Sequence, residues 1–505
     1  MRTLFLQAPS FEGFDGGAGS RYQAKREIRS YWYPTWLAQL AALAPEGKLI
    51  DAPPHGISLN DVTKQAADYE LAVLYSSSPS FASDIKTAGA LKAANPRLKV
   101  GLVGPNVAID PLANLQKAGT VDFVAGKEFD FTVKEITEGR DWSAVSGLCY
   151  RDQDGVIRQT AERPVLEQMD DLPFVTPIYR RDLDVQNYFI GYLKHPYLSF
   201  YTGRGCKSRC TFCLWPQTVG GHRYRTRSVG HVVDEVRYIQ KAFPEVKEIF
   251  FDDDTFTDDV RRTEEIAWAK KAMPQVKEFF FDDDTFTDDL PRAEAIAREL
   301  GKLGVMWSCN AKANVSRDTL KVMRDNGLRL LLVGYESGNQ QILHNIKKGM
   351  RVDVARRFTK DCHELGITIH GTFILGLPGE TRETIQETIR FAREINPHTL
   401  QVSLAAPYPG TFLYKQAMEN GWLDSANAEY VDPHGMQVAP LHYPHLSHAE
   451  IFNSVEEFYR RFYLRAPKIA SIVAEMVQSR EMLVRRLREA VEFFAFLRER
   501  RGTQH

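Results

Sequence analysis

Three cysteines stand close together, Cys206, Cys210 and Cys213, at the spacing C-x3-C-x2-C directly after a Gly-Arg-Gly turn at 203–205. Three thiolates on one short loop can converge on a single metal centre. A [4Fe–4S] cube normally takes four cysteine ligands, so three with no nearby fourth leave one iron open to a substrate or cofactor. The glycines let the backbone pass close to a cluster and turn amides toward its sulfides. A zinc knuckle is the alternative. It needs a fourth ligand, for which only His222 stands nearby at an unusual spacing, and zinc sites favour C-x2-C pairs. Cys149, Cys309 and Cys362 are scattered and read as buried thiols, the usage of a reducing cytoplasm.

With Phe212 ahead of the last cysteine, the segment resembles the cluster loop of radical S-adenosylmethionine (SAM) enzymes. That resemblance implies that the open iron chelates SAM. It implies a reducing electron from a flavodoxin- or ferredoxin-like donor, and cleavage of SAM to methionine and a 5′-deoxyadenosyl radical. It also implies SAM contacts at successive strand ends. Asp253 and Asp254, or their duplicates Asp283 and Asp284, would hold the ammonium. Asn310 and Lys312 end the next strand, and Glu336 and Ser337 the one after, with Glu336 accepting from ribose or ammonium. Gly376, Gly379 and Glu380 belong to a motif that packs on adenine. Tyr335, Glu336 and His370 are the candidates for moving a proton or hydrogen atom. The bland readings are solvated acidic turns and structural ion pairs. A basic patch at His222, Arg223, Arg225 and Arg227 would face an anionic group or solvent.

Elements must hold these residues in place. From 196 to about 430 strand and helix patterns alternate, as in a (β/α) barrel, where active residues follow the strands. Radical SAM cores resemble a six-unit partial barrel. Residues 1–140 also alternate short strands with helices, which argues for an open parallel α/β sheet of Rossmann-like, flavodoxin-like type. Ligands of such sheets lie beyond the carboxyl ends of the strands, here Ser76, Ser77, Gly104 and Pro105. This part resembles the cobalamin-binding domains that precede some radical SAM barrels, without their D-x-H-x-x-G motif. The segment Asp51-Ala-Pro-Pro-His55-Gly56 has the wrong spacing for it. Cobalamin held with no protein ligand to cobalt, and a domain that binds nothing, both stay open. A glycine-rich run, 13–19, follows the first strand, and 141–195 form a connector with an Asp154-Gly155 hairpin signal.

One feature departs from that plan. The sixteen residues 244–259 recur at 274–289 with fourteen identities, an offset of 30. This is a tandem duplication of one βα unit. Seven candidate strands then compete for six places: either the barrel gains a strand or one copy is expelled. The second copy leads directly into Trp307-Ser-Cys-Asn310 and is the one expected to line the site.

The 505 residues are too many for one domain, and a net charge of −1 gives no global field for nucleic acid. No run reaches the length of a membrane span. Residues 431–505 read as helices with arginines beside apolar residues, a face that packs on the barrel or lies on anionic lipid. The expectation is a cytoplasmic protein, with peripheral contact at the inner membrane face. Two stretches, 11–23 and 328–338, resemble hopanoid-biosynthesis-associated radical SAM proteins. What this implies is ring contraction of an amino-sugar hopanoid to the cyclitol ether head group. A cobalamin-dependent radical SAM methyltransferase on a lipid or polyketide is the alternative, and a non-catalytic iron–sulfur or zinc protein is the alternative of another class.

Overall fold

The computed structural model describes residues 1–9, 28, 30–44, 46–208, 213–424, 429–432, 436–477 and 480–502. Cys210, Phe212, Arg29 and the glycine-rich run lie outside the described residues.

The first sheet has seven strands: β1 (Thr3–Gln7), β2 (Gly47–Asp51), β3 (Leu71–Tyr75), β4 (Lys99–Val103), β5 (Phe123–Ala125), β6 (Leu148–Arg151) and β7 (Ile157–Gln159), in the order β2-β1-β3-β4-β5-β6-β7. β1 to β5 are parallel, as the alternating pattern requires; β6 and β7 are antiparallel additions at one edge. The hairpin expected in the connector therefore completes the N-terminal sheet, and the sheet extends to residue 159. β1, β3 and β5 are buried on both faces, which is why they are almost continuously apolar, while the edge strand β7 is largely exposed. Leu4 and Leu6 pack with Val62 and Leu91, while Phe5 joins Leu37 of α1 (Thr35–Leu43) in the main core.

The second sheet is an incomplete barrel of seven parallel strands: β8 (Tyr197–Phe200), β9 (Glu248–Phe251), β10 (Glu278–Phe281), β11 (Met306–Ala311), β12 (Leu328–Glu336), β13 (Thr368–Leu375) and β14 (Thr399–Leu404). They lie side by side in chain order. Both duplicated copies occupy the barrel, so the expected six-strand core has seven. β9 and β10 pair in register at the repeat offset, Glu248 opposite Glu278 and Phe251 opposite Phe281. The strands differ only at Ile249 opposite Phe279, so the two rings they share meet their twins. Phe250 stacks on Phe280 at 4.9 Å between centroids and Phe251 on Phe281 at 5.5 Å. A unit that carries its own helix brings its own cover and adds a stave without exposing one.

An incomplete barrel has two open edges, and unpaired strand edges are a liability. At β14, three alternate amides are taken by side chains from the C-terminal part. Leu400 N donates to Tyr463 Oη, Val402 N to Tyr459 Oη and Leu404 N to Gln437 Oε1, at 2.9 to 3.0 Å. Tyr459 and Tyr463 belong to α2 (His448–Tyr463), which α3 (Ala466–Met476) and α4 (Arg480–Gly502) follow. At β8, Tyr33 Oη donates to Tyr197 O and Tyr197 Oη to Tyr31 O, which fastens the barrel to the chain entering α1.

Candidate active site

The cysteine loop leaves β8 through a short ribbon, Gly203–Arg204 against Arg225–Thr226. Both arginines of the ribbon are buried. Arg204 makes two bonds to Asp130, at 2.7 and 3.1 Å, under the ring of Trp36 at 4.0 Å. Arg225 grips Glu128 at 2.6 and 2.7 Å. These charge-assisted forks fix the loop's base to the N-terminal domain. Gly205 has φ 103°, and a Cβ there would stand 2.2 Å from Arg223 O, so only glycine makes this turn. Cys206 is buried and Cys213 half-buried; burial and the nearby Asp254 push the free Cys206 thiol up to about 11.

The expected basic patch divides: Arg225 and Arg227 are buried, while His222 and Arg223 face solvent. Arg225 and Arg227 pair with Glu128 and Glu235, Arg223 pairs with Glu167, and His222 Nδ1 lies 3.1 Å from Ser208 O. Glu128 and Glu167 lie far away in sequence, so the run at 222–227 carried no sign of them.

Above the carboxyl ends of β8 to β14 lies a cavity of about 730 Å³. Its floor holds Asp252, Asp254, Asp282, Asp284, Asn310 and Glu336. Strand alternation decides which acid of each triplet looks inward. Asp253 and Asp283 are turned away and do carpentry. Asp253 accepts from Thr202 N, Thr202 Oγ1 and Tyr224 Oη; Asp283 accepts from the amide and hydroxyl of Thr257 and of Thr285. Each copy thus ties its strand end to the preceding unit by the same joint. Asn310 Nδ2 donates to Asp282 and Asp284 at 2.9 and 3.0 Å, while its Oδ1 is buried with no hydrogen bond. Asp252 and Asp254 also border a cavity of about 30 Å³ beside Gly205, so they sit between the cysteine loop and the main chamber.

Glu336 ends β12 with φ 57° and accepts from Lys348 Nζ at 2.7 Å. Its neighbours face the other way. Tyr335 lies behind the strand, bonded to Thr359 at 2.6 Å and stacked on Phe373, and Ser337 bonds Thr388 at 3.1 Å. Adjacent strand residues cannot share a face, so Tyr335 does not join Glu336 in the chamber. Lys312 Nζ meets Asp288 at 2.6 Å, away from the floor. His370 does line the chamber; burial pushes it down to about 4, so it is neutral at pH 7, with Nδ1 2.8 Å from Thr399 Oγ1.

Glu380 stands behind the end of β13. It accepts from Gly376 N and Leu377 N, and burial pushes it up to about 8. Gly379 packs against Asn345. These residues shape the loop and do not line the chamber.

On the N-terminal side the wall includes Gln7, Trp32, Tyr33, Trp36 and Tyr75. Ser76, Ser77, Gly104 and Pro105 are not on it. Ser77 N bonds Ser80 Oγ, and Gly104 packs on Ser76, where a Cβ would stand 2.5 Å from its carbonyl. His55 has both ring nitrogens occupied: Nδ1 lies 2.8 Å from Asp51 O, and Nε2 accepts from Asp184 N. The last wall is mostly apolar, with Ile472, Val473, Met476, Phe493 and Phe494 from α3 and α4 beside an ion-pair cluster of Arg486 with Glu475 and Glu489. Asp252, Asp282 and this helical wall were missed by reading motifs. Strand alternation would have found the two aspartates; nothing local marks the helices.

Residues 200–392 match the family described as the Radical SAM superfamily, so this segment is a radical SAM domain. An uncharacterized methyltransferase of Pyrococcus horikoshii is 26% identical over 475 residues, 92% of this chain and 94% of the relative. The anaerobic magnesium-protoporphyrin IX monomethyl ester cyclase of Rubrivivax gelatinosus is 25% identical over 485 residues, 92% of this chain and 78% of that one. Among solved structures, the radical SAM methyltransferase TsrM of Kitasatospora setae, with cobalamin and a [4Fe–4S] cluster bound, superposes with a TM-score of 0.60. It is 15% identical and covers 99% of both chains. The cobalamin-dependent radical SAM enzyme OxsB with aqua-cobalamin bound gives 0.60 at 14% identity, covering 97% of this chain and 72% of the other. The two-domain α/β architecture is shared with these structures. No helix among the described residues is long and apolar enough to cross a membrane.

Proposed function

We propose that this chain is a cobalamin-using radical SAM enzyme of methyltransferase type, acting on a substrate with a large apolar part. The observation that carries this reading is the chamber. It has an aromatic wall from the N-terminal domain, a carboxylate floor beside the cysteine loop, and a mostly apolar wall of helices.

The residues fit the groups. Cys206 and Cys213, with Cys210, would ligate the cluster. Asp252, Asp254 and Glu336 are acceptors suited to an ammonium and to ribose hydroxyls, and the orphaned Asn310 Oδ1 is an acceptor awaiting a donor. The rings of Trp32, Trp36 and Tyr75 offer flat apolar contacts to a corrin. His55, with both nitrogens engaged, would not serve as a cobalt ligand. The chemistry supplied when these groups are bound is one-electron cleavage of SAM and methyl transfer from cobalt. The chain's own residues bind, orient and exclude water.

Anaerobic reconstitution followed by SAM and dithionite tests the reading. It expects about four irons per chain, retained cobalamin, and 5′-deoxyadenosine or methylated product. Zinc in the cysteine loop with no SAM turnover sinks it and favours a non-catalytic scaffold.

A second reading keeps SAM and the cluster and changes the reaction to ring contraction of an amino-sugar hopanoid. The apolar wall supports a lipid substrate, and the exposed Leu464, Ile469 and Val473 at the chamber's rim suit peripheral membrane contact. The relatives' names support methyl transfer instead. Lipid analysis of a deletion strain separates them: accumulated amino-sugar hopanoid supports ring contraction, and an unchanged hopanoid profile removes it.

A further inference from the structure

Away from the chamber, the chain after β14 returns along itself through a bridge between Leu423 and Leu441, then enters α2. This places Asp424, His442 and His448 together, with one ligand atom from each all within 4.8 Å of one another. His448 Nε2 lies 3.1 Å from Asp424 Oδ2, and His442 Nδ1 lies 3.4 Å from Asp424 Oδ1.

His448 Nδ1 stands 2.7 Å from Ala439 O. A carbonyl only accepts, so Nδ1 carries the hydrogen and the neutral ring presents a lone pair at Nε2. That lone pair faces a carboxylate oxygen, which is also an acceptor. His442 Nδ1 is buried and makes no hydrogen bond. With both rings neutral and the His442 hydrogen on Nε2, three acceptors turn toward one point, and a cation between them would satisfy all three. A backbone carbonyl holding the far nitrogen of a histidine is also how ligating imidazoles are oriented. With metal–donor bonds of about 2.1 Å, the edge of a tetrahedral zinc shell is about 3.4 Å. The 3.4 Å between His442 Nδ1 and Asp424 Oδ1 matches it, and the 3.1 Å between His448 Nε2 and the other carboxylate oxygen is slightly shorter.

We propose that Asp424, His442 and His448 form a second metal site, separate from the cysteine loop, for a zinc-like divalent ion. Three protein donors leave the fourth position to water. The ion ties the segment after β14 to the first turn of α2, the helix whose Tyr459 and Tyr463 seal the β14 edge and line the chamber.

The test uses full-length, cluster-reconstituted protein at pH 8, incubated with Zn²⁺, desalted and assayed for both metals. The expected result is about one zinc per chain in addition to the cluster iron, with a higher Tm. Asp424→Asn removes the shared carboxylate. His448→Asn keeps an amide for Ala439 O and removes the facing nitrogen. Each should weaken zinc binding by about 100-fold with iron content and circular dichroism unchanged. Zinc uptake equal in wild type and variants overturns the proposal. So does the absence of uptake by wild type, the result expected if protonated imidazoles bridge the carboxylate.

Discussion

The two copies of the duplicated unit are nearly one sequence in one register, yet they stand in different company. The first, on β9, neighbours the cysteine loop: Thr255 Oγ1 donates to Gly205 O at 3.3 Å, and Lys207 pairs with Asp258 at 2.6 Å. The second, on β10, neighbours β11, where Asn310 bridges Asp282 and Asp284. At the other end of the same strands, Glu278 is held by Arg329 at 2.7 Å and by Ser308. Glu248 takes Lys194 N, and its Oε1 has no hydrogen bond. Sequence identity copies the strand and its joints; role comes from what lies on either side. Duplication has widened the carboxylate floor while leaving one copy beside the cysteines.

The shared strand core should break hardest. Phe251→Ala and Phe281→Ala each remove a fully buried ring that stacks on the other. Each should cost about 3–5 kcal/mol in denaturant unfolding. The double variant should fall short of the sum by about 1 kcal/mol, because the pair is lost only once. Full additivity would mean the copies are not packed face to face.

The base of the strands should separate the copies. Glu278→Ala strands the Arg329 guanidinium and should cost about 3 kcal/mol, whereas Glu248→Gln should be neutral or stabilising. Equal losses would erase the difference.

The floor should separate them by function. Asp254 adjoins the loop and is the first charge acting on Cys206, with Asp284 a lesser one. Asp254→Asn should weaken SAM binding by about 30- to 100-fold, the loss of a charge-assisted bond in a buried site. Asp284→Asn should weaken it less than about 5-fold by the same titration. The reverse ranking would give the SAM role to the second copy.

The smallest effect is in pH. Burial, then the neighbouring Glu278, hold Glu248 well above the usual carboxyl range. Its contribution is fully present below the unfolded value, about 4.3, and is lost as pH rises through the folded one. Wild type should therefore lose Tm toward alkaline pH more steeply than Glu248→Gln. Parallel curves would place Glu248 in contact with water.

Much of this architecture is legible in the order of residues alone. Alternating strands and helices announce both sheets, and C-x3-C-x2-C announces the radical SAM domain, because those signals are local. The fate of the duplication is not legible, since in-register pairing of Phe250 with Phe280 is a contact between units that the chain order leaves open. Choosing Asp253, Asp283 and Tyr335 for the site overlooks strand alternation, which turns Asp252, Asp254 and Glu336 inward instead. The apolar wall from α3 and α4 depends on where helices dock some 270 residues after the cysteines, and no local pattern encodes that.

The most direct test is the electron paramagnetic resonance spectrum of the reconstituted, dithionite-reduced protein with and without SAM. The account predicts a reduced [4Fe–4S] signal that changes shape when SAM binds the open iron, and that Cys206→Ala abolishes. A signal indifferent to SAM, or a cysteine loop filled by zinc, would contradict it.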